Sequence, residues 1–264
     1  MHVLAHIFTF ILITYSNDTT KQRPANNRAK ITEMKDSLIA ELEKGIDAER
    51  SERTQHYFGI FPGGYGEGDI LLGIPCPYIR RCAKSFNKMP LTEVGSLLQS
   101  PVHEYRFAAL AIMKDQYRKN REAIVQLYLD NLDYINNWDL ADCFASHLIG
   151  RWCLEEHDEG ILHDLNQSKD LWRRRISLVA YLAFYRKGVL GNSLENIDNR
   201  IGDSEDLMHK ACGWMLREIF SKVDKHVVES YLIDNYSRMS RTTIRYAIEH
   251  MPEDQRLQYL HGDF

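Results

Sequence analysis

The five cysteines, Cys76, Cys82, Cys143, Cys153 and Cys212, include no Cys-x-x-Cys pair. That absence excludes the usual zinc-ribbon spacing and the thioredoxin-type redox motif, and it fits thiols kept reduced in a cytosol. His103-Glu104 lacks the second histidine of a zinc-peptidase helix, so no metal and no organic cofactor is expected. Glycine and proline are scarce, at 15 and 7 of 264 residues, and several crowd into residues 59 to 77. The rest of the chain is free to run as helix. Positive charge is not in excess: 33 lysines and arginines face 37 acidic residues, a formal net charge of −4. A polyanion partner would therefore require cations segregated onto one face.

Long apolar runs are missing as well. The stretch VLAHIFTFILIT at 3–14 is short for a bilayer span, and no membrane association is expected. It has no cationic n-region and no small-residue cleavage site, so it does not read as a signal peptide either. Residues 15–30 are polar and read as unstructured. Residues 1–33 are thus expected to be an extension, disordered or upstream of a true start at Met34, ahead of one domain over 34–264.

Apolar content of 44% and charged content of 27% suit an ordinary globular chain. Ile31, Met34, Leu38 and Leu42 have helical spacing, with Gly45 placed to end the helix. Residues 59–69, GIFPGGYGEGD, form a glycine-rich loop that no Gly-Lys-Ser/Thr follows, which excludes a phosphate loop. Pro77 can open the next helix, which carries Arg80, Arg81 and Lys84.

The chain is organised around Asn136-Asn137-Trp138-Asp139-Leu140-Ala141-Asp142. Two asparagines before an amphipathic run are a helix N-cap signal. Trp138 and Asp142, four apart, share a face, roughly opposite the apolar stripe Leu140, Phe144, Leu148 and Trp152. A large aromatic beside a charge needs a reason: either a neighbouring helix covers it, or it serves a site. Beyond residue 100 the pattern repeats, with N-capping residues at Ser100, Asn137, Ser168, Ser204 and Ser240. Early in each helix comes a polar or charged residue, in turn Arg106, Asp142, Arg175, Lys210 and Arg245. Intervals of roughly 33 to 36 residues with all-helical content predict a two-helix solenoid, whose equivalent helices line one wall. The repeated position then becomes a row of four cations around one carboxylate, a surface for a polyanion. Lys210, Trp214 and Arg217 likewise share one face, opposite Met208, Met215 and Ile219.

Several segments, taken in order, carry a resemblance: GYGEGDILLGIPCPYIRRCAK (64–84), SPVHEYRFAALAIM (100–113), NNWDLAD (136–142), SKDLWRRRISLVA (168–180), DLMHKACGWMLRE (206–218) and SRTTIRYAIEHM (240–251). Together they resemble the alkylpurine DNA glycosylases of the AlkD type. The resemblance implies an all-α, right-handed α-solenoid of HEAT-like repeats whose concave cationic groove holds duplex DNA. It implies excision of cationic alkylated purines, such as 3-methyladenine and 7-methylguanine, by a monomer in the cytoplasm, associated with the nucleoid. Asp142 matches the family's catalytic carboxylate, Trp138 and Trp214 its aromatic pair, and Arg175 its groove arginine. Arg80, Arg81, Lys84, Arg106, Lys210, Arg217 and Arg245 are the expected DNA-binding cations. Family members of this type leave the lesion stacked rather than flipping it into a pocket. A non-catalytic DNA-binding solenoid would need the same cations without Asp142 beside Trp138. A peptide-binding scaffold would need neither tryptophan.

Overall fold

The structure, a computed structural model, describes the backbone from residue 26 and side chains from residue 34, in each case through residue 264. The apolar run at 3–14 and most of the polar stretch after it lie outside the described residues. The first helix, α1 (Asn26–Glu43), runs through Met34, and Leu38 and Leu42 are fully buried on its inner face. Gly45 follows directly, its N–H bonded to the Leu42 carbonyl.

After α2 (Ala48–Gln55) comes a long loop, then α3 (Cys76–Ser85), α4 (Leu91–Leu98), α5 (His103–Gln116) and α6 (Arg121–Asp130). The middle of the chain holds α7 (Trp138–Phe144), α8 (Ile149–Glu156), α9 (Gly160–Asn166), α10 (Leu171–Val179) and α11 (Leu182–Tyr185). The rest is α12 (Ser193–Asp198), α13 (Asp206–Lys222), α14 (Lys225–Asn235), α15 (Arg241–Ala247) and α16 (Glu253–His261). Among the described residues the only extended pairing is an isolated bridge between Ile70 and Val102. None of the described helices is long and apolar enough to cross a membrane.

The repeat inferred from sequence is the architecture. Helices α5, α7, α10, α13 and α15 pack each on the next in one continuous row, while α6, α8 and α11 form a second layer beside them. This is a solenoid of helical repeats. Its core runs the length of the stack through Leu140, Phe144, Ile176, Met208, Met215 and Ile219, none accessible to solvent. The α13–α15 pair is drawn close by Gly213, where an added Cβ would lie 2.4 Å from the Thr243 carbonyl oxygen. Only a residue without a side chain fits there.

Two expected N-caps act as read. Asn137 accepts the Trp138 N–H at the start of α7, and Ser240 accepts the Thr243 N–H at the start of α15. Ser100 and Ser168 instead bond the N–H two residues on, making turns ahead of α5 and α10, and Asp170 caps α10. Ser204 lies two residues ahead of α13, whose cap position, Glu205, makes no side-chain cap bond. The stripe from Leu140 to Trp152 does not lie on one helix. The chain turns through a 3-10 segment at Ala145–His147, and α8 begins afresh at Ile149. Leu140, Phe144 and Leu148 are nevertheless buried, because the break keeps all three inward.

Candidate active site

Asp142 sits in the last turn of α7 and Arg175 in the middle of α10, its neighbour in the row. They meet in a bidentate pair, Arg175 Nε donating to Oδ1 at 2.8 Å and Nη2 to Oδ2 at 2.7 Å. The third guanidinium nitrogen, Nη1, donates to the Leu207 carbonyl of α13. One arginine thereby ties three successive repeats together. Only 15% of the Asp142 side chain and 7% of the Arg175 side chain are exposed. Burial pushes the Asp142 carboxyl above its ordinary value, and Arg175 works against that rise. A carboxylate paired with a single cation, at the edge of solvent, is suited to stabilising a cation that forms in front of it.

Trp138 opens α7 one turn before Asp142. It is half-buried, and what covers it is the stretch between α2 and the glycine-rich loop rather than another helix. Phe58 stacks on the indole at 5.5 Å with an 11° interplanar angle, and Tyr57 meets it edge-on at 5.0 Å. The indole Nε1 points at the Tyr57 carbonyl, 3.4 Å away. Asn137 donates through Nδ2 to the Phe58 carbonyl at 2.9 Å, so the residue that starts α7 also pins the loop. Further along the loop, Tyr65 packs edge-on against the buried Trp172 of α10, at 5.4 Å. Gly66 lets the loop fold this tightly, since a Cβ there would come within 2.7 Å of the Phe58 carbonyl oxygen. The aromatics Tyr57, Phe58 and Tyr65 were not singled out from sequence, although they crowd around the glycines that sequence marked.

Below the loop lies a buried polar network. His103 of α5 shares a 2.9 Å hydrogen bond with Asp139 of α7, and Asp69 approaches the other ring nitrogen at 3.9 Å. Burial alone would lower the His103 pKa. The charge and hydrogen bond of Asp139, helped by Asp69, reverse this and raise it to about 9. Glu104 accepts the N–H groups of Leu72 and Ile74, fixing the stretch just ahead of α3. The His103-Glu104 pair that failed as a metal motif is therefore a structural hub. Its partners lie tens of residues away, and no local spacing points to them. Among the described residues no group of three His, Cys, Asp or Glu is placed to hold a metal ion.

The expected cations divide. Arg106 does not line a groove as a free charge. It is 3% exposed and makes a bidentate pair with Asp69, because an unpaired guanidinium could not be buried there. Arg175 is likewise engaged on three sides, by both Asp142 oxygens and the Leu207 carbonyl. Arg80 lies half-buried over the Phe107 and Phe144 rings, at 5.0 and 5.5 Å. Arg217 pairs with Glu249 across to the segment after α15. Lys210 keeps 38% of its side chain exposed in a surface pair with Asp206, and Arg81, Lys84 and Arg245 are exposed. Trp214, one turn beyond Lys210, is half-buried, and its Nε1 donates to Glu218 at 3.1 Å. Lys222 also pairs with Glu218, and despite burial its carboxyl is held below the ordinary range by Lys222, Trp214 and Arg217.

A family model described as DNA alkylation repair enzyme matches residues 38–251. Comparison with curated proteins gives no match. Among solved structures, the chain is similar to a predicted DNA alkylation repair enzyme from Enterococcus faecalis, with a TM-score of 0.62 at 19% identity. That likeness covers 79% of this chain and 97% of the other, and it is a likeness of fold. AlkD2 from Streptococcus mutans is 18% identical over 82% of this chain and 98% of its own. Its TM-score of 0.48 is too low to bear on the site.

Proposed function

Because this chain belongs to the DNA alkylation repair enzyme family, we propose that it is a DNA glycosylase acting on cationic alkylated purines, such as 3-methyladenine and 7-methylguanine, in duplex DNA. The observation that carries this reading is the Asp142–Arg175 pair beside Trp138. An N3- or N7-alkylated purine already bears a positive charge and departs as a neutral base, so no general acid is needed. What develops is an oxocarbenium-like sugar. A carboxylate about 4 Å from that centre lowers its energy by roughly 4 kcal/mol at an effective dielectric of 20, and it can orient the attacking water. Arg175 holds both oxygens of Asp142 in one plane, so the carboxylate needs no reorganisation as the cation forms. Trp138 and Trp214 offer electron-rich rings, each worth about 0.5–2 kcal/mol to a nearby cation. Lys210, Arg217, Arg245 and the α3 cations Arg80, Arg81 and Lys84 are the proposed contacts to the duplex. Those with exposed charge, Lys210, Arg245, Arg81 and Lys84, are the ones free to reach phosphates.

The full engagement of Asp142 by Arg175 also favours a second reading, in which the pair only braces the repeats and the protein binds damaged DNA without excising. One experiment separates them. The protein is incubated with methylated duplex DNA and the released bases are measured. Wild type should release 7-methylguanine or 3-methyladenine, and Asp142→Asn should lose about 10²–10³ of that rate while still binding duplex. Duplex binding with no released base in wild type would establish the binding reading instead.

A further inference from the structure

The cysteines divide into three that are buried, Cys82, Cys153 and Cys212, and two that keep part of their surface, Cys76 and Cys143. Burial pushes each of the three buried thiols above its ordinary value, Cys153 and Cys212 to about 12. They serve as small apolar side chains of the core. Cys76 and Cys143 are different. Although distant in the chain, both line a cavity of about 310 Å³ beside Trp138, whose wall also holds Phe58, Arg50 and Glu104. Cys76 is the first residue of α3, and Cys143 directly follows Asp142 near the end of α7.

The two thiols differ in their surroundings. Arg80, one turn along α3, donates through Nε to Cys76 Sγ at 3.3 Å. The same guanidinium lies over the rings of Phe107 and Phe144, at 5.0 and 5.5 Å, and Phe144 follows Cys143 in the chain. Arg80 therefore connects the surroundings of both cysteines. The titratable and charged groups facing Cys143 are Arg80, Asp139, Cys76 and Asp142. Burial raises the Cys143 thiol to about 11, with Arg80 opposing the rise, so this sulfur keeps its proton at neutral pH. A partly exposed cysteine at a helix start, with a guanidinium on its sulfur, has the surroundings of a reactive thiol. One sulfur is thus equipped to attack an oxidant and the other to resolve the product.

We propose that Cys76 and Cys143 are a redox pair, which hydrogen peroxide entering the cavity closes into a disulfide. The Cys76 sulfur attacks one peroxide oxygen and the O–O bond breaks. The departing oxygen takes the thiol proton and leaves as water, and Cys76 becomes a sulfenic acid. The Cys143 sulfur then attacks the Cys76 sulfur. The S–S bond forms, the S–O bond breaks, and hydroxide leaves as water with the Cys143 proton. Two thiols give up two electrons, and one peroxide is reduced to two waters. An external dithiol reverses the closure. The new bond joins the start of α3, which carries Arg80, Arg81 and Lys84, to α7 beside Asp142. This chemistry requires no DNA and stands apart from the glycosylase reading.

The test exposes the reduced full chain to a few equivalents of hydrogen peroxide, then counts thiols and maps peptides by mass. Wild type should lose two of its five thiols and yield an intramolecular link between Cys76 and Cys143 that dithiothreitol reverses. Cys143→Ser should stop at a Cys76 sulfenic acid, which dimedone traps. Cys76→Ser should oxidise at Cys143 at least about tenfold more slowly than wild type. In urea the preference for this pair should disappear, because the fold is what sets these two thiols apart. A link to any other cysteine, a link between two molecules, or a Cys76 sulfenic acid that persists in wild type each overturns the proposal. So does undiminished oxidation of Cys143 in Cys76→Ser, or retention of all five thiols at a dose that oxidises the unfolded chain. The wild-type arms stand even if a variant does not fold.

Discussion

Arg175 grips Asp142 with two parallel hydrogen bonds of 2.8 and 2.7 Å, although 33 positions of chain separate them. That interval is one repeat, so stacking α7 on α10 is what brings the two side chains edge to edge. The carboxylate is consequently positioned by its repeat neighbour, which opposes the upward push that burial gives its pKa.

The acid limb of the pH–activity profile should report this. Burial raises the Asp142 pKa, and Arg175 is what opposes the rise. Arg175→Ala removes the opposing partner, so the pH below which activity falls should move upward relative to wild type. A profile of kcat/KM against pH for both proteins checks it. An unmoved limb in an impaired variant would mean that Arg175 contributes without tuning Asp142.

Arg106 and Lys210 occupy equivalent places in the repeat and should behave in opposite ways. Lys210→Ala should reduce the slope of log K against log salt for duplex binding by about 0.9, one phosphate contact, and change stability by less than about 0.5 kcal/mol. Arg106→Ala strands a buried Asp69 and should cost about 3–5 kcal/mol of stability, with no effect of its own on the salt slope. Denaturant titration and salt-dependent binding of both variants decide.

His103 makes stability depend on alkaline pH. Its pKa is raised from 6.5 to about 9 in the folded chain, so the folded state holds the proton more tightly than the unfolded one. The sign follows: its contribution is complete below pH 6.5 and is lost as the pH rises through about 9. The groups facing the imidazole are Asp139, Asp69 and Arg106. Urea midpoints of wild type should fall across that window, and those of His103→Gln should fall less.

Gly213→Ala tests the close approach of α13 and α15. The new methyl would meet the Thr243 carbonyl and the Tyr246 Cβ, at 2.4 and 2.5 Å. Separating the helices should cost about 1–3 kcal/mol in denaturant titrations. Activity at low temperature should fall too, since Trp214 is the next residue on α13.

The sequence by itself determined the repeat. Capping residues, apolar stripes and a charged position recurring at a fixed interval are local signals, and each helix obeys them within its own few turns. It also placed Trp138 and Asp142 on one face, because that follows from helical pitch alone. Only the tertiary structure decided what those residues meet. Arg106 and Arg175 look alike in the row, yet one is neutralised by Asp69 from the glycine-rich loop and the other by Asp142 from the preceding repeat. The stretch over Trp138 was marked by the glycines beside it but not legible as a cover, since its aromatics find their partners across 80 residues of chain rather than within a helical turn. The same holds for His103 and Asp139. Periodicity reports which face a residue takes, whereas the charge it finds there is fixed by how distant segments are stacked, and desolvation makes that neighbour decisive.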